Sequence, residues 1–339
     1  MRAARLHRIG EVLSLEDIKK PEIESEDDVI IKMRAAGICY SDIHVIDGVI
    51  SVNTPLTLGH EISGEVYEAG SNTKLKKGEK ILVHFMNPCN KCKYCLDGKS
   101  MQCINQFNRP EYGFSADGGY AEYCKVNYDR IVRLPDTLPI DFAATLGCAG
   151  ITAYHAVKSI ADINVADSIA IYGTGGVGLY ALQIAKACGA KCIAISRSKE
   201  KLKFAEELGA DYSIDANNIK EVKKVTEGGV DVILDFVVNE ESIKNSQKIL
   251  ANGGKIVLVG VSNKPISINP QTFVLKELSI LGSLVGSKNE LEELVWLASS
   301  NRIKSIVKKH YSLEEINIAL NELREGKIIG RGCIIFNHQ

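Results

Sequence analysis

The sequence predicts an α/β protein, with a doubly wound parallel sheet and its crossover helices joined to a mainly β domain. Three observations carry that expectation. The 339 residues exceed what one hydrophobic core usually encloses, so two domains of ordinary size are expected. Up to about residue 145, short apolar runs such as Val29-Ile30-Ile31 and Lys80-Ile81-Leu82-Val83-His84 are broken by Gly, Asn, Asp and Pro, which reads as strands and turns. From about residue 150, apolar strands alternate with amphipathic helices, the pattern of a parallel sheet.

The second half opens with a strand over Asp167–Tyr172, then glycines, then a helix from Leu179 to Cys188. Strand Lys191–Ile195 follows, then a charged helix Lys199–Leu208 and strands over Val230–Phe236 and Lys255–Gly260. A tail from about residue 285 mixes helix and strand. Trp296, in Leu291-Glu-Glu-Leu-Val-Trp-Leu297, is expected on the apolar face of a helix, and the tail ends in a strand over Arg331–Phe336. The domains so expected are 1–149, 150–284, and a return to the first domain over 285–339.

Composition narrows the function classes. Apolar residues at 45% and charged residues at 24% exclude a disordered, fibrous or membrane class. Lys plus Arg (41) balances Asp plus Glu (42) with no long like-charge block, which argues against nucleic-acid and membrane-surface partners and favours a small neutral one. The N-terminus has no continuous apolar signal region, and no stretch reaches the about 18 apolar residues of a spanning helix, so a cytoplasmic location is expected. Ten cysteines in such a chain point to metal ligation or catalysis rather than disulfides.

Four of those cysteines fall within residues 87–103 as Cys89-x2-Cys92-x2-Cys95-x7-Cys103, among loop formers. Four thiolates so close can converge on one tetrahedral zinc, and an all-sulfur cage leaves no open position, so its role is structural. Free or disulfide-forming cysteines and an iron–sulfur cluster are the alternatives.

Gly173-Thr174-Gly175-Gly176-Val177-Gly178 places Gly-x-Gly-x-x-Gly between an expected strand and helix. In that context the glycines permit a tight turn and close approach of a pyrophosphate to a helix N-terminus, as in a Rossmann domain. About 20 residues further on, NAD sites usually carry an acidic residue on the ribose hydroxyls. This chain reads Ile195-Ser196-Arg197-Ser198-Lys199, followed by Lys201. No carboxylate stands there to repel a 2′-phosphate and Arg197 offers a bidentate donor, so NADP is preferred over NAD. The plainer alternative is a solvated Arg197–Lys199 loop.

The order Gly37-Ile38-Cys39-Tyr40-Ser41-Asp42-Ile43-His44, Gly59-His60-Glu61, the four-cysteine segment and the glycine motif resembles the medium-chain zinc alcohol dehydrogenase family over essentially the whole chain. The resemblance implies a GroES-like fold for the mainly β domain and two zinc ions per subunit. The catalytic zinc is implied on Cys39, His60 and Cys148, the last within Thr145-Leu-Gly-Cys-Ala-Gly-Ile-Thr152, with the fourth position left for water or substrate. Glu61 is implied as an adjacent carboxylate that ligates or tunes the metal, and Asp42 as the group orienting His60. Ser41 would contact the substrate oxygen, and His44 would end a proton relay through the cofactor ribose. Val259, Val261, Ser283 and Val285 would carry the nicotinamide, and Arg331 the pyrophosphate. Met86, Ile46, Ile50 and Val285 would line an apolar pocket for a primary or secondary alcohol, or the matching aldehyde or ketone. Cysteine at 148, where polyol and sugar dehydrogenases of the family tend to carry a carboxylate, favours the simple-alcohol branch. A homodimer or homotetramer is implied, with an interface near Phe273–Leu284. Two other functions stay open at this stage: a zinc-independent NADPH enone or quinone reductase of the same superfamily, and a non-enzymatic NADPH-binding protein. Cys124, Cys188, Cys192 and Cys333 are expected to be small buried apolar residues. His7, His84, His155, His310 and His338 have no constellation in sequence.

Overall fold

The computed structural model describes residues 1–106 and 109–337, so His338 lies outside the described residues. Backbone contacts divide the chain into two compact units, one of Met1–Ala149, Ser287–Ser299 and Val307–Gln339, the other of Gly150–Gly286 and Ser300–Ile306.

The second unit is built on six parallel strands: Ser168–Tyr172, Lys191–Ser196, Tyr212–Asp215, Val230–Asp235, Leu250–Leu258 and Ser279–Gly282. Counted in chain order they lie 3-2-1-4-5-6 across the sheet, a doubly wound order whose direction reverses beside the first strand, where such sheets bind ligands. The first strand is apolar on both faces because it is central and covered on both sides; Ile169, Ala170 and Ile171 are fully buried. Helix Gly176–Ala187 follows it directly. Ser198 caps helix Lys199–Glu207 by accepting from the Lys201 amide, and Asn239 caps Glu240–Ile249 through Ser242. Ile193, Ile195, Ile214, Ile233, Ile243 and Ile256 pack in one core cluster. Strand Tyr212–Asp215 is short and carries no clear period, so its sequence did not announce it. Ser300–Ile306 belongs with this unit rather than with the rest of the tail. The Gln183 side chain holds it, donating to the Lys304 carbonyl at 3.2 Å and accepting the Lys304 amide at 2.7 Å.

The first unit carries a seven-stranded sheet ordered Val307–Tyr311, Arg331–Ile335, Asp28–Gly37, Glu61–Ala69, Lys80–Val83 and Ile131–Arg133, with Tyr123–Asn127 also paired to Asp28–Gly37. A three-stranded sheet adds Ser14–Asp17, Arg2–Leu6 and Leu56–Thr57. Trp296 corrects the sequence expectation. It sits on helix Lys288–Ser299 but is 59% exposed, whereas Leu291, Leu294, Val295 and Ala298 form the buried stripe at helical spacing and leave position 296 on the opposite side. Among the described residues no helix is long and apolar enough to cross a membrane.

Candidate active site

Cys39, His60, Glu61 and Cys148 all lie in the first unit, and one ligand atom from each falls within 4.8 Å of all the others. Cys39 is the residue before helix Tyr40–Ile46, a segment too short to announce itself by period. Its backbone amide donates to Asp42 Oδ2 at 3.1 Å, which fixes the start of that turn. His60 ends the loop entering strand Glu61–Ala69. Cys148 lies on a π-helical turn, Leu146–Gly150, an irregularity often found at functional positions. The Cys39 and Cys148 sulfurs are 4.0 Å apart.

The histidine is held on three sides. Its Nδ1 meets Asp42 Oδ1 at 3.3 Å, and its ring packs against Phe85 and Phe114 with centroids 5.0 and 4.8 Å away. That leaves Nε2 buried without a hydrogen-bond partner among the described residues, so that in the neutral ring its lone pair is available to a metal ion. Glu61 is fully buried beside it, one oxygen on the Arg331 guanidinium and the other without a hydrogen-bond partner among the described residues. Gly37, paired to Glu61 in the sheet, makes the room: a Cβ there would stand 1.7 Å from Glu61 Oε2.

The titrating groups of the cluster perturb one another strongly. The Cys148 thiol beside Cys39 and the His60 charge overcome burial and hold the Cys39 thiol well below its ordinary range, while Cys148 rises well above it. Burial would lower the His60 imidazole, but Asp42 and Cys39 outweigh it and raise it well above the ordinary value. Burial lifts the Glu61 carboxyl to about 7, with Arg331 pulling the other way. Two sulfurs, an imidazole nitrogen with its second nitrogen engaged by a carboxylate, and a buried carboxylate form a donor set suited to zinc.

The other four cysteines also converge. Cys89, Cys92, Cys95 and Cys103 offer sulfurs within 4.8 Å of one another, with Cys92 Sγ 3.5 Å from Cys95 Sγ and 4.0 Å from Cys103 Sγ. The Cys89 and Asn105 amides donate to Cys103 Sγ at 3.3 and 3.4 Å, as amides do around a thiolate. Asn90 pins this segment by donating to Asp129 at 3.0 Å. All ten cysteines are free, and Cys188 is half-buried rather than fully buried.

In the second unit Gly173 has φ +101°, and a Cβ at Gly178 would lie 2.0 Å from the Gly173 carbonyl oxygen, so this turn closes only with glycine there. Gly175 is different: a Cβ there would meet nothing within 4 Å. That open ledge before the helix amides of Gly176, Val177 and Gly178 fits a pyrophosphate. The buried hydroxyls of Thr174 and Ser283 have no hydrogen-bond partner among the described residues. Val285 is buried at φ +46°, a strained conformation for a β-branched residue and of the kind that collects at ligand sites. Val259 is half-buried and donates its amide to the Asp235 carbonyl at 2.9 Å, while Val261 is exposed. Arg197 is exposed, forming no hydrogen bond or ion pair among the described residues, beside half-buried Ser196 and Lys201.

Several placements were not legible in the sequence. Arg331, read as a pyrophosphate contact, is 5% exposed with its guanidinium on Glu61. Ser41 lies 3.6 Å from the Cys39 sulfur, and the half-buried His44 ring meets Tyr40 edge-on at 5.1 Å. Met86, Ile46 and Val285 are buried. His7 and His310 do have partners, Glu16 at 3.2 Å and Asp141 at 2.8 Å. Sequence reading passed over Phe85, Phe114, Tyr120 and Asp235. The fully buried Asp235 accepts the Val237 and Val238 amides at 2.8 and 2.9 Å.

Comparison with known proteins agrees with this geometry. Residues 25–136 match the family description "Alcohol dehydrogenase GroES-like domain" and residues 176–300 match "Zinc-binding dehydrogenase". The chain is 36% identical over 340 residues to an alcohol dehydrogenase of Geobacillus stearothermophilus, covering 98% of each. It is 37% identical over 347 residues to the NAD-dependent alcohol dehydrogenase of Sulfolobus acidocaldarius, again covering 98% of each. The crystal structure of the Aeropyrum pernix alcohol dehydrogenase superposes with a TM-score of 0.92 at 34% identity, covering 99% of this chain and 100% of that one. On the strength of both matched domains and these full-length relatives, the chain belongs to the medium-chain, zinc-dependent alcohol dehydrogenase family of NAD(P)-linked oxidoreductases.

Proposed function

We propose that Cys39, His60 and Cys148 hold the catalytic zinc, with Glu61 as a fourth, exchangeable donor, and that Cys89, Cys92, Cys95 and Cys103 hold a structural one. The observation that carries this is the convergence of the four buried donors within 4.8 Å, with His60 Nε2 buried and lacking a hydrogen-bond partner among the described residues. When bound, zinc polarises a carbonyl or stabilises an alkoxide, and the nicotinamide exchanges the hydride. The residues then have separate tasks. Asp42 orients His60; the Ser41 hydroxyl holds the substrate oxygen and passes its proton; His44 takes that proton onward to solvent. Met86, Ile46 and Ile50 give the substrate an apolar wall, which suits simple alcohols, aldehydes and ketones.

The division of labour follows the two units. The second unit, Gly150–Gly286 with Ser300–Ile306, binds the dinucleotide through Gly173, Gly175, Gly176, Val177 and Gly178, with Val259, Val261, Ser283 and Val285 toward the nicotinamide. The first unit, Met1–Ala149 with Ser287–Ser299 and Val307–Gln339, carries the metals. An exposed Arg197, unpaired among the described residues, with Ser196 and Lys201 beside it and no carboxylate at the strand end Ile195-Ser196-Arg197-Ser198-Lys199, supports preference for NADP over NAD. The chain works as a homodimer or homotetramer in the cytoplasm. Its edge strand Ser279–Gly282 and the exposed Val274 and Leu275, 75% and 74% exposed, are the surfaces that support association.

The test is hydride transfer from NADPH or NADH to benzaldehyde and a short aldehyde, before and after chelation. Activity that disappears with the metal and returns with zinc supports the proposal. Enone reduction that survives chelation supports the zinc-independent reductase, and absence of any turnover removes the substrate class. Arg197→Asp is expected to reverse the NADP preference; an unchanged ratio removes Arg197 from cofactor selection.

A further inference from the structure

Tyr120 lies far in sequence from the proposed catalytic-zinc ligands, yet its ring is fully buried against the catalytic cluster. Its hydroxyl donates to Asp42 Oδ2 at 2.8 Å, with the Gly37 carbonyl 3.3 Å away. Asp42 is itself 1% exposed and spends its carboxylate on three groups: the amide of Cys39, the Nδ1 of His60 and the phenol of Tyr120. The first two belong to residues that supply metal donors, so the carboxylate's rotamer sets how the sulfur and the imidazole are presented to one another. The phenol is the third point fixing that rotamer.

The backbone around Tyr120 performs a matching task on the loop that precedes the histidine. The amides of Gly118, Gly119 and Tyr120 donate to the carbonyls of Thr57, Gly59 and Leu58 at 2.8, 2.6 and 3.0 Å, clamping the three residues before His60. Gly59 has φ +89°, and a Cβ there would stand 2.6 Å from the Tyr120 ring, so the ring is seated directly on the loop that delivers the ligand. One residue thus registers both the imidazole's loop and the imidazole's carboxylate partner.

We infer that Tyr120 is a positioning residue for the catalytic metal, acting through Asp42 on His60. This rests on the metal-site reading above and extends it to a residue beyond the ligands and their immediate partners. Partners that orient ligands typically contribute a factor of about 10–100 in metal affinity. Tyr120→Phe keeps the ring on Gly59 and removes only the hydroxyl, so the expected loss is about tenfold at the catalytic ion, with the four-cysteine ion unaffected.

The experiment measures zinc release to a chromophoric chelator, resolved into its two phases, for the full-length wild type, Tyr120→Phe, Asp42→Ala and the double variant. Visible absorption of the cobalt-substituted catalytic site is recorded in parallel. The expected result is a catalytic ion released about tenfold more readily in Tyr120→Phe with altered cobalt bands, an unchanged slow phase from the cage, and less than about a twofold further effect of Tyr120→Phe on the Asp42→Ala background. Retention of the cage ion also reports that the variant is folded. Equal effects of Tyr120→Phe on both backgrounds, or none on the wild type, would overturn the role of Tyr120 while leaving the metal site standing. A wild type that takes up only the cage ion would overturn both.

Discussion

Replacing Gly175 and Gly178 by alanine, one at a time, is expected to separate folding from cofactor binding within a single loop. At Gly178 the new Cβ would lie 2.0 Å from the Gly173 carbonyl oxygen. Carbon and carbonyl oxygen approach to about 3.3 Å, so the helix start or the carbonyl must shift by more than about 1 Å. Overpacking costs about 1–3 kcal/mol, and alanine's better helix propensity offsets up to about 1 kcal/mol. Because the obstacle is backbone rather than a side chain that can swing aside, we expect a net loss of about 2 kcal/mol, or roughly 4–8 °C in the unfolding midpoint. Gly175 has φ −83° and ψ −170°, open to any residue, and its Cβ would meet nothing within 4 Å. Stability should therefore stay within about 0.5 kcal/mol. The methyl group would nevertheless stand where the pyrophosphate approaches. Losing one charge-assisted hydrogen bond, about 1.5–3 kcal/mol, predicts at least about a tenfold weaker NADPH or NADH complex. Thermal unfolding by circular dichroism and titration of cofactor fluorescence read the two effects. A Gly175→Ala protein that binds cofactor like the wild type refutes placing the pyrophosphate on this ledge. An unshifted midpoint in Gly178→Ala refutes the steric reasoning.

Glu61→Leu strands the Arg331 guanidinium in the first unit's interior, where loss of one partner of a buried pair costs about 3–5 kcal/mol. Arg331→Met should cost less because Glu61, raised to about 7 by burial, can take up a proton, and equal costs in urea unfolding would contradict this. His44→Ala is expected to slow alcohol oxidation with partial rescue by added imidazole, and steady-state rates equal to wild type would remove His44 from the proton path. Burial opposes ionisation of Asp211, but Lys186 at 2.9 Å and the Cys192 amide at 2.7 Å outweigh it and lower its carboxyl. That stabilisation is present above the unfolded value of about 3.9 and is lost as pH falls through the lower folded value. With the side chain a third exposed, Asp211→Asn should cost no more than about 1 kcal/mol at pH 7, and the gap should close as pH falls through the lowered folded value; a gap that widens in acid would contradict the sign.

What could be read without coordinates was whatever the chain encodes over short spans. Ile169, Ala170 and Ile171 announced a doubly covered strand, because burial on both faces leaves no polar alternation. The glycines at 173, 175 and 178 announced a turn, because backbone crowding there forbids a Cβ or the ligand needs the room. The convergence of Cys89, Cys92, Cys95 and Cys103 was similarly a matter of local spacing. Tertiary structure alone decided that Arg331 faces Glu61, that Phe85 and Phe114 pack against His60, that Tyr120 reaches Asp42, and that Trp296 points outward. Each of those depends on residues brought together by sheet register and loop closure across tens to hundreds of positions. No periodicity spans such distances, because the interaction that selects the residue exists only after the chain has closed around it.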